Sequence, residues 1–325
     1  MSDPSLSRRR FVALLAGAGL AGCMVETPAP VRIGVNPWVG YDPLVLARER
    51  GWAAPDRVRV VELASNTEST RALRNGLLEG AALTLDEALR LHDAGVPLRI
   101  VAVLDVSHGA DAVLGARGLT DPAQLKGRRV ALEETALGAL VLHRLLSAAG
   151  LGPDDVRTLH VEASHHVAVL ERGMVDAVIT FEPMKRQLEA QGYPVLFDST
   201  RMRGEIIDVL AVRAEIDRRR IEPVLAAWQQ GLAEFLAHPA EASTLLAPGT
   251  GLTPEEYLVT LRGLHFYDLA GSLAQLSGHP PGLGRMADGL VGVLLRQRLV
   301  TQPPDWASLL DPGPARAVLE QGRKP

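Results

Sequence analysis

A single cysteine, Cys23, stands in 325 residues. A disulfide within one chain is therefore impossible, and so is a cysteine-rich metal centre. Aromatic side chains are scarce as well, 13 in all, so a local concentration of them carries information. No long basic run follows the first ten residues, and the formal net charge is −4. That balance argues against nucleic acid as a partner. No internal apolar run is long enough for a transmembrane helix. The remainder, 47% hydrophobic with scattered charge, is ordinary globular composition with length enough for two domains.

The amino terminus has a different character. Ser7-Arg8-Arg9-Arg10-Phe11-Val12 precedes an apolar run that ends at Cys23. A basic head followed by about a dozen apolar residues is a secretory signal, too short to span a membrane stably. The first part is similar to a twin-arginine export signal. Leu20-Ala21-Gly22-Cys23 resembles a lipoprotein box, which implies cleavage before Cys23 and a diacylglycerol on its sulfur. Residues 1–22 are thus expected to be a signal peptide and 23–29 a lipidated tether. Loss of three Arg and one Asp would move the formal charge from −4 to −6.

In Val31–Pro43, the alternation of Val31, Ile33 and Val35 predicts a short strand. It stops at Asn36-Pro37, where proline removes a ladder donor, and Gly40 permits a bend before a helix. In open α/β sheets the ligand lies beyond the carboxyl ends of the strands. Asn36, Trp38 and Tyr41 therefore stand at the rim of a candidate site, with two of the 13 aromatics in one loop. The alternative is that both rings merely pack the loop onto the domain.

Further strands are predicted at Arg57–Leu63, Ala81–Leu83 and Leu98–Val106, the last nearly all apolar. Ser65-Asn66-Thr67-Glu68 and Thr84-Leu85-Asp86-Glu87 have the pattern of capping boxes opening the intervening helices. A second alternation runs from Ala110 to Asp198, with a long helix over Thr135–Ala149 closed by Gly150. Ile206–Val212 returns as an apolar strand. Beyond Ala214 only helices are expected, including Pro254–Leu264, and the proline-rich tail after Gln302 is expected to pack weakly. The fold class is α/β, with lobe 1 over 30–107 and 203–325 and lobe 2, over 108–202, inserted into it. The two crossings, Leu104–Gly109 and Ser199–Glu205, form a hinge about which the lobes close.

IGVNPWVGYDPLVLARERGW, RNGLLEGAALTLDEAL, LKGRRVALEETALGALVLHRLL and RGMVDAVITFEP together resemble the substrate-binding lipoproteins of the nitrate/sulfonate/taurine class of ABC importers. That class also includes binders of thiamine pyrimidine precursors. The resemblance covers Val31–Val212 and implies a type II periplasmic-binding fold with two doubly wound lobes, no catalysis, no cofactor and no metal. Its pocket elements fall on Asn36, Trp38 and Tyr41, on Ser65, Asn66 and Thr67, and on Thr84 and Asp86. In lobe 2 they fall on Glu133, Thr135 and Ala136, and on Phe181 and Glu182. It further implies a monomer that binds a small molecule and meets a permease and its ATPase. The expected location is periplasmic or at the cell surface, on a membrane-held lipid anchor.

One departure concerns charge. Binders of sulfonate or nitrate present donors and often a cation, yet no Arg or Lys lies in the predicted strand-end loops. Those loops instead carry Asp86, Asp105, Asp111, Glu133, Glu134, Glu182, Glu205 and Asp208. At least half of these are expected to be caps, hinge pairs or solvated charges. An acidic rim disfavours a simple anion and suits an amine-bearing or zwitterionic ligand, with Trp38, Tyr41 and Phe181 against a flat or cationic group. The N-terminus of the Thr135 helix remains available for an anionic moiety. Glu182, before Pro183, is the carboxylate best placed by sequence to face the cleft.

Three rival readings exist. Eukaryotic pyrimidine synthases share the fold but use a cysteine-rich segment, absent after Cys23. A metal transporter would need His160, His165 and His166 to converge, but adjacent helical positions point about 100° apart. A lipoprotein presenting its ligand to a membrane sensor has the same sequence features as an importer's binder.

Overall fold

The computed structural model describes residues 28–322. The leader and Cys23, on which the expected export signal and lipid anchor fall, lie outside the described residues.

Lobe 1 opens with β1 (Val31–Val35), α1 (Asp42–Glu49), β2 (Val58–Glu62), α2 (Asn66–Arg74), β3 (Gly80–Thr84), α3 (Leu85–Asp93) and β4 (Leu98–Ser107). Lobe 2 contains β5 (Asp111–Gly115), β6 (Arg129–Leu132), α4 (Ala136–Ala149), β7 (Arg157–His160), α5 (His166–Glu171), β8 (Ala177–Phe181), α6 (Met184–Ala190) and β9 (Val195–Asp198). The chain returns through β10 (Ile207–Arg213). It continues as α7 (Arg218–Ala237), α8 (Pro239–Leu246), α9 (Pro254–Thr260), β11 (Leu264–Phe266) and α10 (Leu269–Leu276). It ends with α11 (Gly282–Met286), α12 (Asp288–Arg296), α13 (Trp306–Leu309) and α14 (Gly313–Gln321).

The first sheet has the order β11-β4-β10-β3-β1-β2 and the second β7-β6-β8-β5-β9. In each, the strand that has just crossed from the other lobe is inserted antiparallel between neighbours: β10 between β3 and β4, and β5 between β8 and β9. This is the type II arrangement. Strand β1 pairs parallel with β2 and β3. A strand with two paired neighbours and helices on both faces needs apolar side chains in both directions. Accordingly Ile100, Val101, Ala102, Val103 and Leu104 of β4 are all buried.

The crossings run side by side. Ser107 and Ser199 hydroxyls hydrogen-bond at 2.8 Å, and Ser199 Oγ also accepts from Gly109 N at 2.6 Å. Glu205, at the second crossing, is bound by both Arg144 Nε and Nη2 at 2.7 Å.

Beyond β10 the structure departs from the sequence expectation in two places. The helix expected over Pro254–Leu264 stops at Thr260, and the chain enters the edge strand β11 beside β4. Gly263 lies against the first crossing, where a Cβ would stand 2.8 Å from Ala110 N, and its carbonyl accepts from His108 N at 2.8 Å. The tail after Gln302 is not loosely packed. Leu309 and Ala315 are fully buried, and Asp311, 3% exposed, takes Arg99 Nη1 at 3.1 Å and Arg218 Nε at 2.7 Å.

Candidate functional site

The loop after β1 turns inward. Asn36, Trp38 and Tyr41 are all buried. Trp38 meets Phe181 of lobe 2 edge to face, with ring centroids 5.8 Å apart. Tyr41 donates its hydroxyl to Asp208 Oδ1 at 2.5 Å. Gly40 is required here because a Cβ would overlap both the Trp38 indole nitrogen and the Asp105 carboxylate.

These residues border a small cavity of about 20 Å³ where the strand ends of the two sheets meet. Lobe 1 contributes Asn36, Trp38, Tyr41, Asn66 and Thr84. Lobe 2 contributes Asp111, Glu133, Leu137 and Phe181, and the returning segment contributes Ile206 and Asp208. The residues from Asn36 to Thr84, with Glu133, Leu137 and Phe181, lie at or just after the carboxyl ends of strands, as the strand-end rule requires, whereas Asp111, Ile206 and Asp208 come from the amino ends of the antiparallel strands β5 and β10.

The wall is rich in acceptors that have nothing to accept from. Asn36 Oδ1, Asn66 Oδ1, Asp111 Oδ2, Glu133 Oε1 and Asp208 Oδ2 are buried without a hydrogen-bond partner, as is the Thr84 hydroxyl. Behind them the carboxyls of Asp86 and Asp105 accept no N–H in full hydrogen-bond geometry; the Thr84 hydroxyl approaches Asp86, and the neighbouring acid Asp208 approaches Asp105. Leaving a buried polar group unsatisfied costs about 1–3 kcal/mol, and more for a charge. Such a concentration is therefore a site that expects donors.

The carboxyls respond by holding protons. Burial pushes Asp111 and Glu133 each up to about 7 and Asp208 up to about 6. Asp105, opposite Asp208 in the β4–β10 register, is pushed well above its ordinary value, by burial first and then by the Asp208 charge. The Trp38 indole favours the charged form of Asp105 without reaching full hydrogen-bond geometry.

Of the residues expected at the pocket, Asn36, Trp38, Tyr41, Asn66, Thr84, Glu133 and Phe181 line this cavity. The others do different work. Ser65 caps α2 by accepting from Glu68 N at 3.2 Å, and Thr67 faces an outer groove. Thr135 caps α4 by accepting from Gly138 N at 3.0 Å. Asp86 is sealed behind the wall, fully buried. Glu182 does not line the cavity: it pairs with Lys185 Nζ at 3.2 Å and accepts from Arg186 N at 3.0 Å.

Two further expectations need correction. Thr84 makes no side-chain cap, and Glu87 does not close a box on its own helix. Glu87 Oε1 instead accepts from Ala136 N, at 2.5 Å, across the lobes. The N-terminus of α4 is thereby occupied from within, so the N–H groups expected to be free for a ligand anion are not free. Of the eight acidic loop residues, Asp86, Asp105, Asp111, Glu133 and Asp208 are buried with unpartnered oxygens. Only Glu134, Glu182 and Glu205 are exposed, paired or capping, fewer than the half expected.

Asp111, Asp208, Leu137 and Ile206 enter the site without having been singled out as contacts. For the two acids the signal was present, since both sit at strand termini. His166 is a core residue, hydrogen-bonded to Thr180 Oγ1 and Val161 O at 3.0 Å each and held neutral by burial, which lowers it to about 4. Among the described residues no cluster of three His, Cys, Asp or Glu could hold a metal ion.

A model of the NMT1-like family matches residues 25–241. The chain belongs to the NMT1-like family. This NMT1-like chain is 28% identical over 191 residues to a Brucella abortus protein named as a binding protein, covering 55% of this chain and 56% of that one. It thus spans about half the length of the curated relatives it matches first. It is 26% identical over 248 residues to an Escherichia coli protein named for binding aliphatic sulfonates, covering 74% and 77%. The alkanesulfonate-binding protein of Xanthomonas axonopodis pv. citri, solved with MOPS, has the same fold. Its TM-score is 0.74 at 20% identity, over 88% of this chain and 99% of that one.

Proposed function

We propose that this chain is the extracytoplasmic solute-binding lipoprotein of an ABC importer. It captures a small amine-bearing or zwitterionic molecule between its lobes and delivers it to a permease and its ATPase, without catalysis or cofactor. The observation that carries the reading is the ring of buried, unpartnered acceptor oxygens in the interlobe cavity. A protonated nitrogen supplies several donors to such a ring and allows the carboxyls to ionise. The edges of Trp38 and Phe181 supply an apolar flank for the body of the same molecule. Sulfonate, for which the Escherichia coli and Xanthomonas proteins are named, presents only acceptor oxygens to a wall of acceptors.

The test is mass spectrometry of small molecules released from the chain purified under native conditions, followed by thermal shift with the compounds found. Binding to the folded state raises the melting temperature by mass action. Recovery of a cationic or zwitterionic amine supports the reading. Recovery of a sulfonate that the pure protein rebinds overturns its ligand class.

The anchor has its own test. One acyl chain holds a protein to a membrane only marginally, whereas the two chains of a diacylglycerol hold it stably. Cys23→Ser is expected to move the protein from the membrane to the soluble fraction or leave it uncleaved. Unchanged fractionation, with no lipid on the native chain, removes the lipoprotein reading.

A further inference from the structure

Glu87 is placed where its own sequence context does not call for it. The residue lies in the first turn of α3, in lobe 1, yet its carboxylate reaches 49 residues along the chain to the first turn of α4, in lobe 2. Its Oε1 takes the Ala136 N–H at 2.5 Å; burial raises its pKa, and the Ala136 N–H, the Arg90 charge and the Leu137 N–H oppose that shift. The next N–H, of Gly138, is taken by Thr135 Oγ1. Helix α4 has 14 residues, long enough for its N-terminal partial charge to attract an anion. The chain meets that attraction with its own carboxylate, buried to 3% exposure.

A second observation comes from the neighbouring strand end. Glu133 is 6% exposed, with Oε1 unpartnered, and it borders the cavity together with Leu137 of α4. An anion arriving at the start of α4 would face this acceptor as well as Glu87.

We propose that Glu87 is a specificity-determining residue: it occupies the anion seat at the start of α4 and so makes the cleft refuse anionic ligands. This rests on the reading of the interlobe cavity as the ligand site. A sulfonate or sulfate entering the native cleft must displace a buried, hydrogen-bonded carboxylate and then sit beside Glu133. With Glu87 removed, the Ala136 and Leu137 N–H groups become free and one negative charge leaves the seam behind the cavity, where Glu87 borders an outer groove with Arg71, Arg74 and Arg90.

The experiment titrates sodium methanesulfonate, with sodium chloride at matched ionic strength as control, into the full chain and its Glu87→Ala and Glu87→Gln variants. Calorimetry and melting curves are the readouts. Native protein is expected to show no saturable response, and Glu87→Ala to bind at least about tenfold more tightly than native. Where Ala costs the fold, Glu87→Gln keeps the side chain's shape and an acceptor while removing the charge, and it is expected to show a gain in the same direction. A folded variant with no gain over native overturns the proposal, and so does native protein that binds methanesulfonate as tightly as the variants. The probe is independent of the natural ligand. An amine screen that finds nothing removes the importer reading and leaves this result standing.

Discussion

Asp208 shows most plainly how a single residue can be unfavourable for the fold and favourable for binding. Its Oδ1 accepts from the Tyr41 hydroxyl, and Asp105, opposite it in the sheet and held protonated by burial, is the one acid that can share a proton with it. Without ligand, Asp208→Asn removes a charge that burial opposes, while the amide oxygen still accepts from Tyr41. The variant is expected to melt several degrees higher than the parent without ligand. It should bind an amine ligand at least about tenfold more weakly, since a charge-assisted hydrogen bond of roughly 1.5–3 kcal/mol is lost. Glu182→Gln is the contrast. Its carboxylate is committed to Lys185 and the Arg186 N–H, so its loss should lower the melting temperature and leave affinity within about twofold. Calorimetry beside melting curves reads both variants. If Glu182→Gln loses affinity and Asp208→Asn does not, the contact assignment is reversed. Sequence alone favoured Glu182 because its strand-end position and Pro183 were visible. The nearby Lys185 that spends it belongs to the geometry of α6.

At the scale of elements, locally encoded features were legible and long-range ones were not. The stop of β1 at Asn36-Pro37 is written in adjacent residues, and Thr253-Pro254-Glu255-Glu256 likewise sets a cap, a proline and two acids side by side at the start of α9. Thr253 and Glu256 do exchange hydrogen bonds, at 3.2 and 3.0 Å. Thr84–Glu87 has the same local pattern and folds otherwise, because a helix terminus in the other lobe competes for Glu87. The tail failed as an expectation for a similar reason. Proline density suggests weak packing, but the anchor is Asp311, which joins Arg99 of β4 to Arg218 of α7 and takes Gly313 N at 3.1 Å. Its backbone N–H also bonds Ile100 O at 2.9 Å. No sequence window around Asp311 contains Arg99, Ile100 or Arg218. Removing one member of a buried ion pair costs about 3–5 kcal/mol, because the other charge is left uncompensated. Arg99 is 18% exposed and Arg218 62%, so solvent screens part of that loss, and Asp311→Ala is expected to cost about 2–3 kcal/mol. Limited proteolysis should then clip the chain after α12. A variant as stable and as resistant as the parent would make the tail the loose segment its prolines suggest.

For the whole molecule, the cavity's acids tie stability, protonation and closure together. Asp111, Glu133 and Asp208 are raised in the fold to about 7, 7 and 6, whereas in the unfolded chain they titrate near 4. Between about pH 4 and pH 7 the folded state therefore binds more protons than the unfolded one. The stability these groups contribute is complete below pH 4 and is lost as pH rises through 6 and 7. Other carboxylates act in the opposite direction: Arg129 holds Asp176 below its ordinary value, and its contribution is lost in acid. A bound ammonium reverses the first effect, because it favours the ionised carboxyls. Ligand binding near pH 6 should then release protons, and affinity should rise from pH 5 to pH 7.5. The melting temperature of the ligand-free chain should fall from pH 5.5 to pH 7.5, with the gap between bound and free curves widening over the same range. Calorimetry in two buffers of different ionisation enthalpy measures the released protons directly. Wall residues from both lobes must meet the same molecule, so saturation should also shorten the radius of gyration in small-angle scattering as the lobes close about Ser107 and Ser199. A free-state melting temperature that climbs steadily to pH 7.5, with no proton release on binding, would mean that the cleft acids are already ionised. The buried acceptors would then have to be satisfied by something other than a cationic ligand.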